Sequence, residues 1–185
     1  MPTQGTLFIV ATPIGNLEDI SARALGVLRR VAVIAAEDTR RTSKLLTHYG
    51  IPTSTTSLHE HNERQKCALI LDRLSSGDSV AIVSDAGTPT VSDPGAHLIR
   101  EAVVRGIRIE PIPGPSAVIT ALSAAGLGGS GFMFLGFAPK KSADRRRWIE
   151  SLAQADLPVV FFESPHRIRY TLEEVLRKVG DLDVM

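Results

Sequence analysis

Short apolar segments alternate with helical segments along most of this chain, and this alternation restricts the fold more than any other feature. Five segments rich in apolar residues predict β-strands at 6–11, 32–36, 54–58, 79–84 and 107–112. Patterns typical of helices cover residues 20–30, 39–49, 63–75, 95–105 and 116–125. Strands that are apolar almost throughout, and that alternate with helices of about 10–13 residues, are typical of a parallel sheet covered on both faces. The sequence therefore predicts an α/β fold.

A glycine-rich stretch at 126–131 separates this region from the rest of the chain and predicts a domain boundary. After it we expect strands and helices at 132–137, 142–153, 158–162 and 166–179, and a further strand that begins after residue 180. Two or three strands make a thin sheet. We therefore predict an N-terminal α/β domain with a parallel sheet over residues 1–126. Residues 131–185 are expected to form the start of a second α/β domain that this chain does not complete.

Composition excludes several classes of protein. Hydrophobic residues make up 43% and charged residues 22% of the 185 residues, as in ordinary globular domains and unlike disordered chains. No apolar run approaches the ~20 residues of a membrane span, and no signal-peptide pattern precedes the first strand, so no membrane association is expected. The single cysteine, Cys67, excludes an internal disulfide and a cysteine-based metal site. We expect no bound metal and a cytoplasmic location.

Prolines occur where several strands end and the next helix begins. They stand in the pairs Thr12-Pro13, Asp93-Pro94, Gly114-Pro115 and Ser164-Pro165. Proline suits the first position of a helix, so Asp93 and Ser164 are expected to be helix N-caps. The loops at the carboxyl ends of parallel strands gather on one edge of a sheet and form its ligand crevice. These loops are therefore the predicted binding site.

The loop at 84–95 is the richest candidate for ligand binding. Ala86 and Gly87 leave the backbone accessible to a ligand, while Asp85 and Thr88 offer a carboxylate and a hydroxyl. These residues also form good turns, which is the alternative interpretation, but a loop of this length inside a compact domain is usually functional. The glycine fingerprints of dinucleotide-binding folds and of P-loop enzymes are absent, which argues against an ATPase or a GTPase.

Two groups of cations are present in spite of a net charge of only +1. They consist of Arg40, Arg41 and Lys44 in the first half of the chain and of Lys140, Lys141, Arg145, Arg146 and Arg147 in the second. Each group is either the solvated face of a helix or a surface that contacts phosphates. The sequence leaves both interpretations open.

Five motifs occur in a fixed order along the chain. They are TPIGNL at 12–17, AAEDTR at 35–40, SDAGTP at 84–89, PGPSA at 113–117 and FESPHR at 162–167. Together they resemble the ribosomal RNA small subunit methyltransferase I family of the tetrapyrrole methylase superfamily, over residues 5–180. The resemblance implies two α/β domains that hold S-adenosyl-L-methionine in the cleft between them. It also implies a homodimer that methylates the ribose 2′-hydroxyl of a cytidine in 16S rRNA of the small ribosomal subunit.

The resemblance assigns roles to individual residues. The cofactor-binding positions that it implies are Pro13, Ala86, Gly87, Thr88, Val91, Ser116, Ala117 and Glu163. Their positions at the carboxyl ends of predicted strands, facing the crevice, make Asp38 and Asp85 the candidates for a catalytic carboxylate that takes up the hydroxyl proton or orients the hydroxyl. Asp38 could instead cap the helix that follows it, and Asp85 could instead bind the cofactor. Both basic groups would contact RNA phosphates. The alternative functions are methylation of a small molecule such as a tetrapyrrole, and a non-catalytic cofactor- or RNA-binding fragment.

Overall fold

The computed structural model describes residues 4–127, 129 and 131–185, and the chain divides into two compact units. The units are Met1–Ala117 and Val118–Met185. The division therefore precedes the glycine-rich stretch at which the sequence analysis placed the domain boundary. Gly128 and Ser130 of that stretch lie outside the described residues, and the boundary at 126–131 stays a prediction.

The first unit contains a five-stranded parallel sheet. Its strands are β1 (Thr6–Val10), β2 (Val33–Ala36), β3 (Thr55–Ser57), β4 (Val80–Val83) and β5 (Arg108–Ile112). Their order across the sheet is β3-β2-β4-β1-β5, and every neighbouring pair is parallel. The five predicted strands are confirmed, each one or two residues shorter than expected. The predicted α/β class is confirmed as well.

Helices cover both faces of this sheet. They are α1 (Ala22–Arg30), α2 (Thr39–His48), α3 (Glu63–Ser75) and α4 (Ala96–Val104). Successive strand residues point to opposite faces, so each face needs its own apolar layer. On one face Phe8 and Val10 pack with residues of α1 and α2 such as Leu28. On the other face Leu7 and Ile9 pack with residues of α3 and α4. This double burial explains why the strands are apolar at nearly every position.

The strand order creates a switch point at the centre of the sheet. β1 and β4 are neighbours, but α1 after β1 covers one face, whereas α4 after β4 covers the other. Their following loops therefore leave the sheet in opposite directions at the carboxyl ends of the two strands. In open parallel sheets, ligands bind in the crevice that such a divergence leaves. The fold thus directs attention to the loops that begin at residues 11 and 84.

A close backbone contact anchors the start of β1. The N–H of Gly5 donates to the carbonyl oxygen of Leu74 at 2.8 Å. A Cβ at position 5 would lie 1.9 Å from the carbonyl oxygen of Asp78, a distance that no side chain tolerates. Glycine is therefore required here by the approach of the segment that leads into β4.

The second unit is smaller. It contains a parallel pair of strands, β6 (Met133–Phe137) and β7 (Val159–Phe162), with helices α6 (Ser142–Ala153) and α7 (Ile168–Val179). A further helix, α5 (Ala117–Ala125), starts one residue before the unit begins. Trp148 and Ile149 are buried in its small core. The strand predicted after residue 180 is wrong, because residues 181–185 adopt no regular structure. No helix among the described residues is long and apolar enough to span a membrane.

Candidate functional site

The loops after β1, β4 and β5 are joined to one another at the carboxyl edge of the sheet. Thr12 and Gly87 exchange two backbone hydrogen bonds, each with an N···O distance of 2.9 Å. The hydroxyl of Thr88 donates to the carbonyl oxygen of Pro115 at 3.2 Å. Because β4, β1 and β5 are adjacent strands, these bonds connect the three loops into one continuous surface. It lies at the switch point of the sheet.

The loop after β4 contains unusual backbone conformations. Gly87 has φ +80°, in the region that favours glycine. Thr90 and Ser92 also lie in the left-handed region, at φ 72° and 67°. Such conformations cost about 1–3 kcal/mol for residues other than glycine, and they cluster at ligand-binding sites. The structure therefore supports a functional interpretation of this loop over that of a simple turn.

Seven of the eight predicted cofactor-binding residues lie on these three loops or on the helix residue that follows them. They are Pro13 after β1, Ala86, Gly87, Thr88 and Val91 after β4, and Ser116 and Ala117 after β5. The side chains of Ala86 and Ala117 are exposed, Val91 is 40% exposed, and Gly87 is buried by its bridge. The structure brings these positions to one edge of one sheet, and their role in binding the cofactor stays a prediction.

Asp85 lies in a network that links the ends of β2 and β4. Its Oδ1 accepts a hydrogen bond from the backbone N–H of Asp38 at 3.1 Å, and its Oδ2 lies 3.3 Å from Nη1 of Arg41. The backbone N–H of Asp85 donates in return to Oε2 of Glu37 at 3.2 Å. The carboxylate of Asp85 is therefore held in place by the segment that follows β2.

Asp38 is a helix cap whose carboxylate is held by Arg40. Its Oδ1 accepts from the backbone N–H of Arg40 at 2.9 Å and from Nε at 3.1 Å, and its Oδ2 accepts from Nη2 at 2.8 Å. The side-chain and backbone hydrogen bonds from Arg40 lower the pKa of Asp38 to about 2. The capping role is confirmed. A general base works best with a pKa near the operating pH, so a pKa of about 2 argues against Asp38 as the general base.

Sequence reasoning missed two carboxylates beside Asp85. Burial raises the pKa of Glu37 in spite of the hydrogen bond from the Asp85 N–H, and the charge of Asp93 raises it further. Burial also raises the pKa of Asp93, against a hydrogen bond from Ser84. Glu37 follows β2 directly, within the motif at 35–40, and its position at a strand end was the signal that could have identified it. Across the described ranges, no three His, Cys, Asp or Glu side chains are grouped so as to hold a metal ion.

The N-cap positions expected at the prolines are wrong. Helix α4 begins after Gly95, which has φ +113° and occupies the N-cap position in place of Asp93. Helix α7 begins after Arg167 and not after Ser164. Both prolines therefore lie in the loops before the helices, so these loops extend further than the sequence predicted.

The first basic group borders a cavity. Arg40, Arg41 and Lys44 project from the first two turns of α2, and all three are exposed. A cavity of about 220 Å³ lies beside them. It is lined by Thr12, Pro13, Leu17, Arg41, Thr42, Lys44, Leu45, Ser84 and Asp85. The cavity is therefore shared by the loop after β1, helix α2 and the start of the loop after β4.

The second basic group is not a uniform surface. Its exposed members are Lys140, Lys141, Arg146 and Arg147. The side chain of Arg145 is only 9% exposed. Its Nε donates to Glu174 at 2.6 Å, its Nη2 to the hydroxyl of Thr171 at 2.8 Å and its Nη1 to the carbonyl oxygen of Pro139 at 3.2 Å. These bonds argue against the RNA contact predicted for Arg145, because its guanidinium is already used inside the second unit.

Glu163 is also bound internally. Its side chain is 1% exposed, Oε1 accepts from the backbone N–H of Ser164 at 2.7 Å and pairs with Arg167 at 2.5 Å, and Oε2 accepts from the hydroxyl of Thr171 at 2.7 Å. Burial alone would raise the pKa of Glu163, but the Thr171 and Ser164 hydrogen bonds and the arginine charges lower it. The structure therefore supports a role for Glu163 within the second unit over the predicted cofactor contact.

Comparison with known proteins gives one family. A model of the tetrapyrrole (corrin/porphyrin) methylases matches residues 6–185. Proteins called ribosomal RNA small subunit methyltransferase I are similar over most of the chain. The protein from Pseudomonas aeruginosa is 52% identical over 92% of this chain and 61% of its own length. Those from Vibrio cholerae and Escherichia coli O157:H7 are 52% and 50% identical over 94% and 97% of this chain, and 60% and 63% of their own lengths. The chain thus spans about three fifths of these relatives.

Solved structures share the fold at low sequence identity. A cobalt precorrin-4 methyltransferase superimposes with a TM-score of 0.69 at 18% identity, covering 95% of this chain and 75% of that protein. A diphthine synthase gives a TM-score of 0.69 at 18% identity, covering 94% and 71%. Uroporphyrin-III C-methyltransferase from Thermus thermophilus gives 0.61 at 21% identity, covering 95% and 74%. These likenesses extend over both units of the chain.

Proposed function

This chain belongs to the tetrapyrrole (corrin/porphyrin) methylase family, and from that membership we propose that it acts in S-adenosyl-L-methionine-dependent methylation of ribosomal RNA. The acceptor is the ribose 2′-hydroxyl of a cytidine in 16S rRNA, and the substrate is the small ribosomal subunit. One observation carries the proposal. Relatives named as ribosomal RNA small subunit methyltransferases are 50–52% identical to this chain over 92–97% of its length.

The joined loops at the carboxyl edge of the first unit suit the cofactor. Ala86 is exposed, so an adenosyl or methionyl group can contact its peptide groups, and the backbone bridge between Gly87 and Thr12 fixes the loop in place. We assign cofactor binding to these loops, with Pro13 and Thr88 beside the glycine. S-adenosyl-L-methionine supplies a methyl group that is already activated on a sulfonium, so the contribution of the protein is mainly alignment.

Asp85 is our candidate for the carboxylate that faces the acceptor hydroxyl. It lines the cavity beside α2 and directly precedes the exposed backbone of Ala86. The N–H of Asp38 and the guanidinium of Arg41 orient its carboxylate, while Glu37 orients its backbone. A carboxylate held in this way can accept a hydrogen bond from a ribose hydroxyl and orient it for transfer.

The exposed cations are assigned to RNA phosphates. Arg40, Arg41 and Lys44 in the first unit are exposed, as are the basic residues at 140, 141, 146 and 147 in the second. Binding through such residues weakens steeply as salt rises. A ribosomal substrate also implies a cytoplasmic location, and the resemblance of the motifs implies a homodimer. The location and the homodimer are both part of the proposal, and the molecular mass of the protein in solution tests whether it is a homodimer.

The proposal is tested by titration and then by methyl transfer. Calorimetric titration of the chain with S-adenosyl-L-methionine should show binding, and small ribosomal subunits incubated with methyl-labelled cofactor should yield labelled 2′-O-methylcytidine. A chain that binds the cofactor but labels no RNA would refute rRNA as the substrate. Label in a porphyrinoid instead would favour the small-molecule alternative. Absence of cofactor binding would refute a complete cofactor site in this chain.

Two glycine variants test where the cofactor binds. Gly87→Ala places a side chain on a left-handed residue, with its Cβ 3.4 Å from Ile14. Gly106→Ala is the matched control, since Gly106 has a similar φ of +67° and open space around it but precedes β5 at the opposite edge of the sheet. Both variants carry the same kind of backbone strain. Only Gly87→Ala should weaken cofactor binding, and equal affinities in the two variants would refute the assignment.

A further inference from the structure

The cavity beside α2 is distinct from the exposed backbone of the loop after β4. Its volume is about 220 Å³. Helix α2 contributes four of its lining residues, whereas the loop after β4 contributes only Ser84 and Asp85. Because Ala86 and Gly87 do not line it, the cavity is a candidate for a ligand other than the cofactor.

Two cations line the cavity, and Lys44 is the one without a carboxylate partner among the described residues. Arg40 is bound by Asp38, and Arg41 lies 3.3 Å from Asp85. Lys44 lines the cavity and is exposed, and in the described part of the chain no carboxylate lies within ion-pair distance of its ammonium. An exposed lysine with no internal partner is available to an anion that enters the cavity.

Part of the wall of the cavity is apolar. Pro13 and Leu45 line it, together with Leu17, which is 40% exposed on the short turn of 3₁₀ helix at Leu17–Asp19. Binding sites for small molecules combine such apolar walls with a few polar groups that fix orientation. An inorganic anion needs only the ammonium of Lys44, whereas a nucleotide can use both this cation and the apolar side chains.

We propose that this cavity binds the acceptor nucleotide of the RNA. Its base contacts Leu17 and Pro13, its phosphate pairs with Lys44, and its ribose lies towards Asp85. This inference rests on the proposed function, because it names the subsite in which the methyl acceptor is held. Lys44 is then a substrate-binding residue and not one of several interchangeable surface cations.

The test uses the full chain and cytidine 5′-monophosphate as the probe. Backbone amide shifts of Lys44 and Thr42 should move on titration, and Lys44→Gln should weaken binding about tenfold, the loss expected for one charge-assisted hydrogen bond. Arg100→Gln is the matched control, because Arg100 is an exposed cation on α4, which packs on the opposite face of the sheet. It should leave the affinity unchanged.

The outcomes of this titration either support or refute the assignment of the cavity to the acceptor nucleotide. If Lys44→Gln and Arg100→Gln bind the nucleotide equally, or if inorganic phosphate binds as tightly as the nucleotide with the same shifts, the assignment is wrong. S-adenosyl-L-methionine titrated into the same samples separates this result from the proposed function. Cofactor binding without a nucleotide shift at Lys44 refutes the cavity assignment alone. Nucleotide binding at Lys44 without cofactor binding supports the cavity and refutes the cofactor site.

Discussion

Replacing Arg145 by methionine should destabilise the second unit strongly. The guanidinium is 9% exposed and donates hydrogen bonds at 2.6 Å to Glu174, at 2.8 Å to Thr171 and at 3.2 Å to the backbone of Pro139. Removing one partner of a buried ion pair costs about 3–5 kcal/mol, because the other charge stays buried. Lys178 still lies 3.1 Å from Glu174 in the variant. We therefore expect the lower end of that range, about 3 kcal/mol.

The chain carries its own probe for this unit. Trp148 is the only tryptophan, is buried, and lies with its ring 5.0 Å from that of Phe161. Its fluorescence should follow unfolding of the second unit in urea. With a slope of roughly 1.5 kcal/mol per molar urea, a loss of about 3 kcal/mol lowers the midpoint by about 2 M. The control is Arg147→Met, since Arg147 is 76% exposed and pairs only at the surface with Asp144.

The control should move the urea midpoint by less than about 0.5 M, as expected for a surface pair. Equal midpoints for Arg145→Met and Arg147→Met would refute the network.

The pH dependence of stability gives a second check. The pKa values of Glu163 and Glu174 are lowered in the fold, so their contribution is present above the ordinary glutamate value of about 4.3 and is lost as the pH falls. The difference between Arg145→Met and the wild type should therefore shrink in acid.

Three further predictions concern the first unit. Gly5→Ala should lower the melting temperature, because the added Cβ would collide with the backbone of Asp78. The control is Gly26→Ala, inside α1 with no neighbour nearer than 3.9 Å, which should be neutral or stabilising. Equal shifts of the melting temperature in the two variants would contradict the close contact at Gly5. Titration followed by carbon-13 NMR should give Asp38 a pKa of about 2. Arg40→Gln should return this pKa towards the ordinary value of about 3.9. A pKa of Asp38 that stays low in this variant would show that Arg40 is not the cause. Cys67 is 3% exposed, and burial raises the pKa of its thiol. The thiol should therefore react with a maleimide only when the first unit unfolds. Fast labelling of the native protein would contradict this prediction, because it would show that the thiol is accessible.

Most of the first unit could be predicted from the sequence, because the residue patterns that predict its strands and helices lie within short segments of the chain. Strands such as β2 and β4 are buried at every position, which only a doubly covered sheet explains. Their carboxyl ends could be located as well, since each runs directly into a polar loop. The position of β4 between β2 and β1 depends on contacts distant in sequence, and the pattern of residues carries no local sign of it. The sequence places Glu37 at the end of β2, but only the sheet order brings it beside Asp85. Asp93 lies on the same loop as Asp85 and was interpreted instead as a helix cap.

The second basic group shows why counting charges along the sequence is not enough. In a helix, residues three and four apart share a face. Arg145, three and four residues before the buried Trp148 and Ile149, therefore lies on their side of α6, whereas Arg146 and Arg147 are exposed. The spacing to these two apolar residues was visible in the sequence and could have marked Arg145 as internal. Its acidic partners could not be found in that way, since Glu174 lies on α7 and Glu163, 3.8 Å from the Arg145 guanidinium, follows the end of β7. A basic cluster on a helix is thus evaluated around the helix axis first, and only the cations off the apolar face remain for a phosphate surface.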